Sequence, residues 1–247
     1  MNLLLLHASE VDAHGIARIG GRRAQHVQEV LRAQVGQELR AGMIDGPLGM
    51  ARVQTQAPGE VVVTTTFDRP APPADDVLLL AVPRPKVLLR MLAHAAALGF
   101  GRLVLFRSWR VDKSHLDSVA MRAEVQREQL LLGLEQAGRT RLPVVQFFPL
   151  FKPMVEDHLD GLGLPAQRFV ATPGANTATA ALTLARGAPF ALALGPDGGF
   201  LPWEIEQFAA HGCTAIHCGS HPLRTESALS VLWGQLDLLR ARGSLPL

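Results

Sequence analysis

The chain has 247 residues, 48% of them hydrophobic and 19% charged, with a net charge of +2, which suits a globular protein of one medium and one small domain. No apolar run approaches the roughly 20 residues that cross a bilayer, and Leu3 to Leu6 lack the basic leader and cleavage site of a secretion signal. Two cysteines, Cys213 and Cys218, and nine histidines without HExxH spacing exclude a disulfide framework and a familiar zinc site, so the expectation is a cytoplasmic protein without metal or membrane.

Residues 1 to about 68 read as β-rich. Short strands are predicted over Leu3 to Leu6, Gln37 to Ala41, Met50 to Gln54 and Glu60 to Phe67, with turns at Asp45-Gly46-Pro47 and Pro58-Gly59. One helix, near Arg23 to Leu31, interrupts them and offers Val27, Val30 and Leu31 as its apolar side. A small barrel with one helix follows from that pattern. Arg22, Arg23 and Arg32 are its candidates for phosphate contact. The proline-rich stretch Asp68 to Asp76 is a stiff linker and a domain boundary.

From Val77 the pattern alternates between strand and helix. Strands are expected at Val77 to Val82, Leu103 to Phe106, Pro143 to Phe148 and Arg168 to Ala171. Helices are expected at Pro83 to Leu98, Leu116 to Ala137 and Met154 to Leu159, with Ala178 to Ala185 helix or loop. Such alternation implies a mostly parallel sheet covered by helices. Residues 84–141 carry eleven Lys/Arg against five Asp/Glu, a net of +6. That excess, which includes Arg110, either meets phosphates or solvates helix faces.

Two stretches near the C-terminus read as strand, tight turn, helix. Phe190 to Leu194 is a short unbroken apolar run, as a buried strand should be. Gly195-Pro196-Asp197-Gly198-Gly199 cannot continue it, because Pro196 has no amide hydrogen and the glycines allow turns and close backbone approach. Pro202 suits a helix start with Glu204 near its positive end. Thr214 to Cys218 is the next strand, Thr225 is expected to cap a final helix, and Glu226 sits in its first turn. The two loops are thus predicted at the carboxyl ends of neighbouring strands, where open α/β sheets bind ligands. Bare backbone plus Arg224 and Glu226 suits a ligand with a charged part and a flat base. The plain alternative is a pair of tight turns, with Arg224 and Glu226 as an ion pair.

GPDGGF with Glu204, followed by LRTESA at Leu223 to Ala228, resembles the RsmE-type family. These are S-adenosylmethionine-dependent RNA methyltransferases of the SPOUT superfamily that methylate N3 of a uridine in small-subunit (16S) ribosomal RNA. Glu135-Gln136-Ala137-Gly138-Arg139-Thr140-Arg141-Leu142-Pro143 resembles the family's EQ-x-GR-x-R-x-P segment, and His26, Val30, Leu31 and Arg32 match its looser barrel signature. The resemblance implies a PUA-like or OB-like barrel over 1–70 that helps hold RNA. Over 71–247 it implies a trefoil-knotted α/β methyltransferase domain with a mostly parallel sheet, and two subunits usually share the active-site region. It implies cofactor contacts from Leu194, Gly195, Pro196, Asp197, Gly198, Gly199, Cys218, Gly219, Leu223, Thr225, Ser227 and Ala228. The turn Thr172-Pro173-Gly174 matches a family position lining the same site, or is a plain turn.

Arg224 is the first catalytic candidate, since an arginine aimed at a carbonyl oxygen stabilises the anion left when uridine N3 loses its proton. Glu226 would orient Arg224 or cap the helix. Arg139 is expected to reach RNA or a partner subunit, and Arg141 RNA, although cations at a helix C-terminus also compensate its dipole. The family helix end K-A-x-E-L-G-V is here His94-Ala95-Ala96-Ala97-Leu98-Gly99-Phe100. Its lysine and glutamate are missing, which keeps two rival readings open. One is an enzyme of this fold acting on another RNA or atom. The other is a non-catalytic RNA-binding assembly factor.

Overall fold

Alternation builds the first strands. In β2 (Ile16–Gly20) Ala17 and Ile19 point inward between exposed neighbours, and in β5 (Glu60–Arg69) buried Val61, Val63 and Thr65 alternate with the half-buried Val62 and Thr64. With β1 (Leu4–Leu6), β3 (Glu38–Met43) and β4 (Leu48–Ala57) they form a five-stranded sheet in the order β1-β3-β4-β5-β2. The pair β1·β3 is parallel and the others are antiparallel. Between β2 and β3 runs α1 (Gly21–Gln25), continued by a wider turn over His26–Val30. Its buried Ala24 and Val27 join Leu4, Leu6, Ile19, Val53, Val61 and Val63 in one core. The computed structural model describes residues 2–243.

Contacts divide the chain into two compact units. One is the chain up to Pro73 together with Leu130–Leu142; the other is Ala74–Gln129 with the chain from Pro143 onward. The 130–142 segment is bound into the first unit by its own polar groups. Glu135, 3% exposed, accepts both guanidinium nitrogens of Arg22 at 3.0 and 2.8 Å. The buried Thr140 hydroxyl donates to the Gly46 carbonyl at 2.7 Å, and Asp45 accepts the Leu142 amide at 2.8 Å.

The second unit holds β6 (Asp76–Ala81), α2 (Pro85–Leu98), β7 (Phe100–Phe106), the start of α3 (Ala123–Ala137) and β8 (Val144–Phe148). After α4 (Phe151–Pro153) and a wide turn over Met154–His158 come β9 (Gln167–Ala171), β10 (Thr177–Ala178) and β11 (Phe190–Leu194). Then follow α5 (Pro202–Ala210), β12 (Thr214–His217) and α6 (Thr225–Arg242). The seven strands pair in parallel in the order β10-β12-β9-β11-β6-β7-β8. Strands β6 and β11 are buried at every position, as a sheet covered on both faces requires. At the amino end of the sheet Asp76, 4% exposed, accepts from Arg240 at 2.8 and 2.9 Å and from the Phe190 amide at 3.1 Å. The Arg240 guanidinium also lies 5.0 Å over the Phe190 ring. Burial outweighs these partners and holds the Asp76 carboxyl above the usual aspartate range.

Several expectations are corrected. The helix expected from Leu116 begins only at Ala123. Before it, Asp112 accepts the Ser114 amide and hydroxyl, each at 2.9 Å, and the Ser118 hydroxyl donates to the His115 carbonyl at 2.7 Å. These local bonds make two short tight turns, Lys113–His115 and Val119–Met121, instead of a helix. The strand over Ile16–Gly20 and the two-residue β10 were not foreseen. The region 178–185 is a single turn, Thr179–Ala181, and then loop.

Candidate active site

A parallel sheet opens all its carboxyl ends on one edge. The two glycine-bearing loops were expected on neighbouring strands, but β9 lies between β11 and β12. Crossover connections skip a position here, so the Thr172-Pro173 turn after β9 stands between the two loops. The residues after β6 complete the row on the far side of β11. Four successive strand ends therefore feed one site.

The loop after β11 is tight enough that a side chain at Gly195 would crowd it. A Cβ at Gly195 would sit 3.1 Å from the Phe200 nitrogen and 3.2 Å from the Gly199 backbone. Gly199 has φ of +69° and its amide closes a turn onto the Pro196 carbonyl at 2.8 Å. The loop's exit is fixed by Glu204, which is fully buried. Its carboxylate accepts the Leu201 amide at 2.9 Å, the Trp109 amide at 3.0 Å and the Ser108 hydroxyl at 3.4 Å. It thus joins the start of α5 to the turn after β7. Arg110 in that turn donates to the Gly198 carbonyl, and Arg84 pairs with Asp197 at 3.3 Å.

The loop after β12 is held from α6. Gln235 donates to the Cys218 carbonyl at 3.1 Å. Thr225, expected as the helix cap, is instead the first helical residue; the capping position is Arg224, with no side-chain cap bond. Thr225 is buried, and its hydroxyl donates to the Gly195 carbonyl at 3.3 Å, which ties one loop to the other.

Both loops line a single cavity of about 910 Å³. Leu194, Gly195, Pro196, Asp197, Gly198, Gly199, Cys218, Gly219, Leu223, Thr225 and Ala228 line it, as do Thr172 and Pro173. Gly174 and Ser227 are not among its lining residues. Arg224 and Glu226 are, but they do not form the expected pair: Glu226 pairs with Arg90 of α2. Arg224 is exposed, and no ion pair engages it among the described residues. Sequence reading missed Arg84, Val87 and Arg90, which a strand-end loop and the following helix bring to the wall, and Leu232 of α6. Cys213 stands apart, with burial pushing its thiol up to about 11, so it is an inert core residue.

A family model described as an RNA methyltransferase domain matches residues 70–236, which contain every wall of this cavity. A ribosomal RNA small subunit methyltransferase E of Treponema pallidum is 30% identical over 237 residues, covering 92% of this chain and 87% of the relative. The chain belongs to this family of RNA methyltransferases. A solved family structure, from Neisseria gonorrhoeae and bound to S-adenosyl methionine, is 18% identical with a TM-score of 0.71 and covers 96% of this chain and 98% of that one. A Legionella pneumophila methyltransferase, solved in complex with the same cofactor, is 19% identical with a TM-score of 0.72 and covers 98% of both chains. These likenesses establish the fold: an α/β methyltransferase unit with a seven-stranded parallel sheet.

The basic residues expected at RNA fall in several settings. Arg22 is engaged by Glu135, and Arg23 by Glu10 and the Leu5 carbonyl. Arg139 donates to the Pro73 carbonyl at 3.3 Å, just after Gly138 closes α3 with φ of +71°. Arg32, at φ of +48°, and Arg141 are exposed. Arg110, in the turn after β7, is bound to the Gly198 carbonyl. His26, of the barrel signature, is half-buried with a buried Nε2 that has no partner, and burial lowers its pKa. Among the described residues no cluster could hold a metal, and no helix is long and apolar enough to cross a membrane.

Proposed function

We propose that this protein transfers the methyl group of S-adenosylmethionine to N3 of a uridine in small-subunit ribosomal RNA. The single observation that carries the reading is the convergence of the loops after β11 and β12 on one cavity, in a chain of this methyltransferase family. The family name of its relatives supports the ribosomal substrate, and N3 follows from the family resemblance.

The cavity's chemistry fits the cofactor. Its volume lies in the range of small-molecule sites, about 300–1,000 Å³. Backbone without side chains at Gly195, Gly198 and Gly219 brings main-chain amides to the wall, while Val87, Leu194, Ala228 and Leu232 offer an apolar wall to a flat base. An added Cβ at Gly219 would meet nothing within 4 Å, so the wall there is open backbone. S-adenosylmethionine, when bound, supplies an already activated methyl group.

What remains for the chain is the acceptor. Uridine N3 carries a proton at neutral pH, and its loss spreads negative charge onto the flanking carbonyl oxygens. Arg224, exposed at the cavity wall, is the group we assign to that charge. Glu226 is bound to Arg90 and serves the site's charge balance. The exposed Arg32 and Arg141 of the first unit are assigned to RNA phosphates.

The finer architecture belongs to the same proposal. The first 70 residues would be a PUA-like barrel that holds RNA, which their five-stranded sheet supports. Residues 71–247 would be a knotted SPOUT domain, working as a cytoplasmic homodimer. A test is incubation with labelled cofactor and unmodified small subunits, followed by mass spectrometry of the labelled nucleotide. The expected product is an N3-methylated uridine. Label on another atom would leave the methyltransferase and remove the N3 assignment; no label on any RNA would remove the activity.

A further inference from the structure

The helix start that opens α6 presents two groups of opposite charge to the cavity, Arg224 and Glu226. Arg224 takes the capping position and Glu226 the second helical position, and the two do not pair. Arg90, on α2 and far away in sequence, also lines the cavity and takes Glu226 as its partner through Nε. The Glu226 side chain is 22% exposed and that of Arg90 57%. The carboxylate is thus the more buried member and the one for which a fixed partner matters more. Arg224 is left exposed, with no carboxylate on it.

We infer that Arg90 is a positioning residue for methyl transfer: by holding Glu226 it keeps the Arg224 guanidinium available to an anionic acceptor. The inference rests on the proposed role of Arg224. It concerns charge arrangement rather than contact with the reacting atoms. An arginine already neutralised by a neighbouring glutamate has little attraction left for a developing oxyanion. One whose competitor is occupied keeps its donors free.

The test is an epistasis experiment on the full chain, with wild-type methyl transfer to unmodified small subunits measured first. Arg90→Ala releases Glu226 onto Arg224, and kcat is expected to fall by about tenfold to a hundredfold. The cofactor Kd, measured by calorimetry, should change by less than about threefold, because the lost interaction serves the acceptor. Arg90→Lys should retain most of the activity. The deciding variant is Arg90→Ala combined with Glu226→Gln. Removing the competing charge should return kcat to within about threefold of the Glu226→Gln single variant. If the double variant is as slow as Arg90→Ala or slower, or if Arg90→Ala acts on cofactor Kd alone, Arg90 has another role and the inference is overturned. An inactive wild type would instead remove the reading of the protein as an N3 methyltransferase. Circular dichroism and the thermal midpoint of each variant identify any that fails to fold. For such a variant the pair is repeated with Arg90→Gln, which keeps the stem and removes the charge.

Discussion

Arg224 and Glu204 carry opposite kinds of responsibility, and replacing each should read out differently. Arg224 is exposed and unpaired by carboxylate, so its loss should leave folding alone and strike turnover. Arg224→Ala is expected to lower kcat by about a hundredfold or more, the scale of one preorganised donor, with cofactor affinity nearly unchanged by calorimetry. Lysine in its place should recover only part, since a point charge does not reproduce the guanidinium fork. Glu204 is fully buried under three donors. Glu204→Ala strands those donors and should cost about 3 kcal/mol or more in urea unfolding, with cofactor binding weakened because the glycine loop loses its anchor.

A pH dependence follows at the same scale. Hydrogen bonding from Arg23 holds the Glu10 carboxyl below its ordinary range. A depressed carboxylate contributes stability above its unfolded value, about 4.3, and loses that contribution as pH falls through the folded value. Glu10→Gln should therefore be less stable than wild type at pH 7, and the gap should close below about pH 4. A gap that persists unchanged in acid would show that the pair does not act through ionisation.

At the scale of elements, the sequence was most legible where one local rule decided the outcome. Phe190–Leu194 followed by glycines and Pro196 could be little else than a buried strand and a tight turn. Gly138 after Ala137 ended α3 as expected. What failed depended on distant partners or on side chains that compete locally for the backbone. The start of α3 was missed because Asp112 and Ser118 drew the backbone into turns that apolar periodicity does not register. The neighbours of β11 and β12 were misjudged because strand order in a parallel sheet is fixed by packing of the crossovers. Thr225 looked like a cap from its place in the chain, yet its hydroxyl serves the Gly195 carbonyl, 30 positions away. Arg90 carried no signal at all. Its importance comes from Glu226, which α6 brings beside it. In the EQAGRTRLP segment only Arg139 and Arg141 were expected to reach RNA or a partner, and their neighbours Glu135 and Thr140 serve internal bonding of the first unit.

At the scale of the molecule, a net charge of only +2 leaves RNA recognition to local groups. Binding of small-subunit RNA should weaken steeply with salt. Removing an exposed arginine that meets phosphate, Arg141 or Arg32, should reduce the slope of log K against log salt by about one. Arg22→Ala, which breaks an internal pair with Glu135, should lower stability and leave that slope alone. Filter-binding titrations over a salt series separate the two outcomes; an unchanged slope for both exposed arginines would place the RNA path elsewhere.

The central claim is that the loops after β11 and β12 form one cradle for a methyl donor. A crystal structure of the protein with S-adenosylmethionine tests it most directly. The account predicts the cofactor in the cavity between Gly195–Gly199 and Gly219–Ala228, with its methyl carbon facing the space beside Arg224. Density for the cofactor at any other place on the molecule, with that cavity left to water, would contradict it.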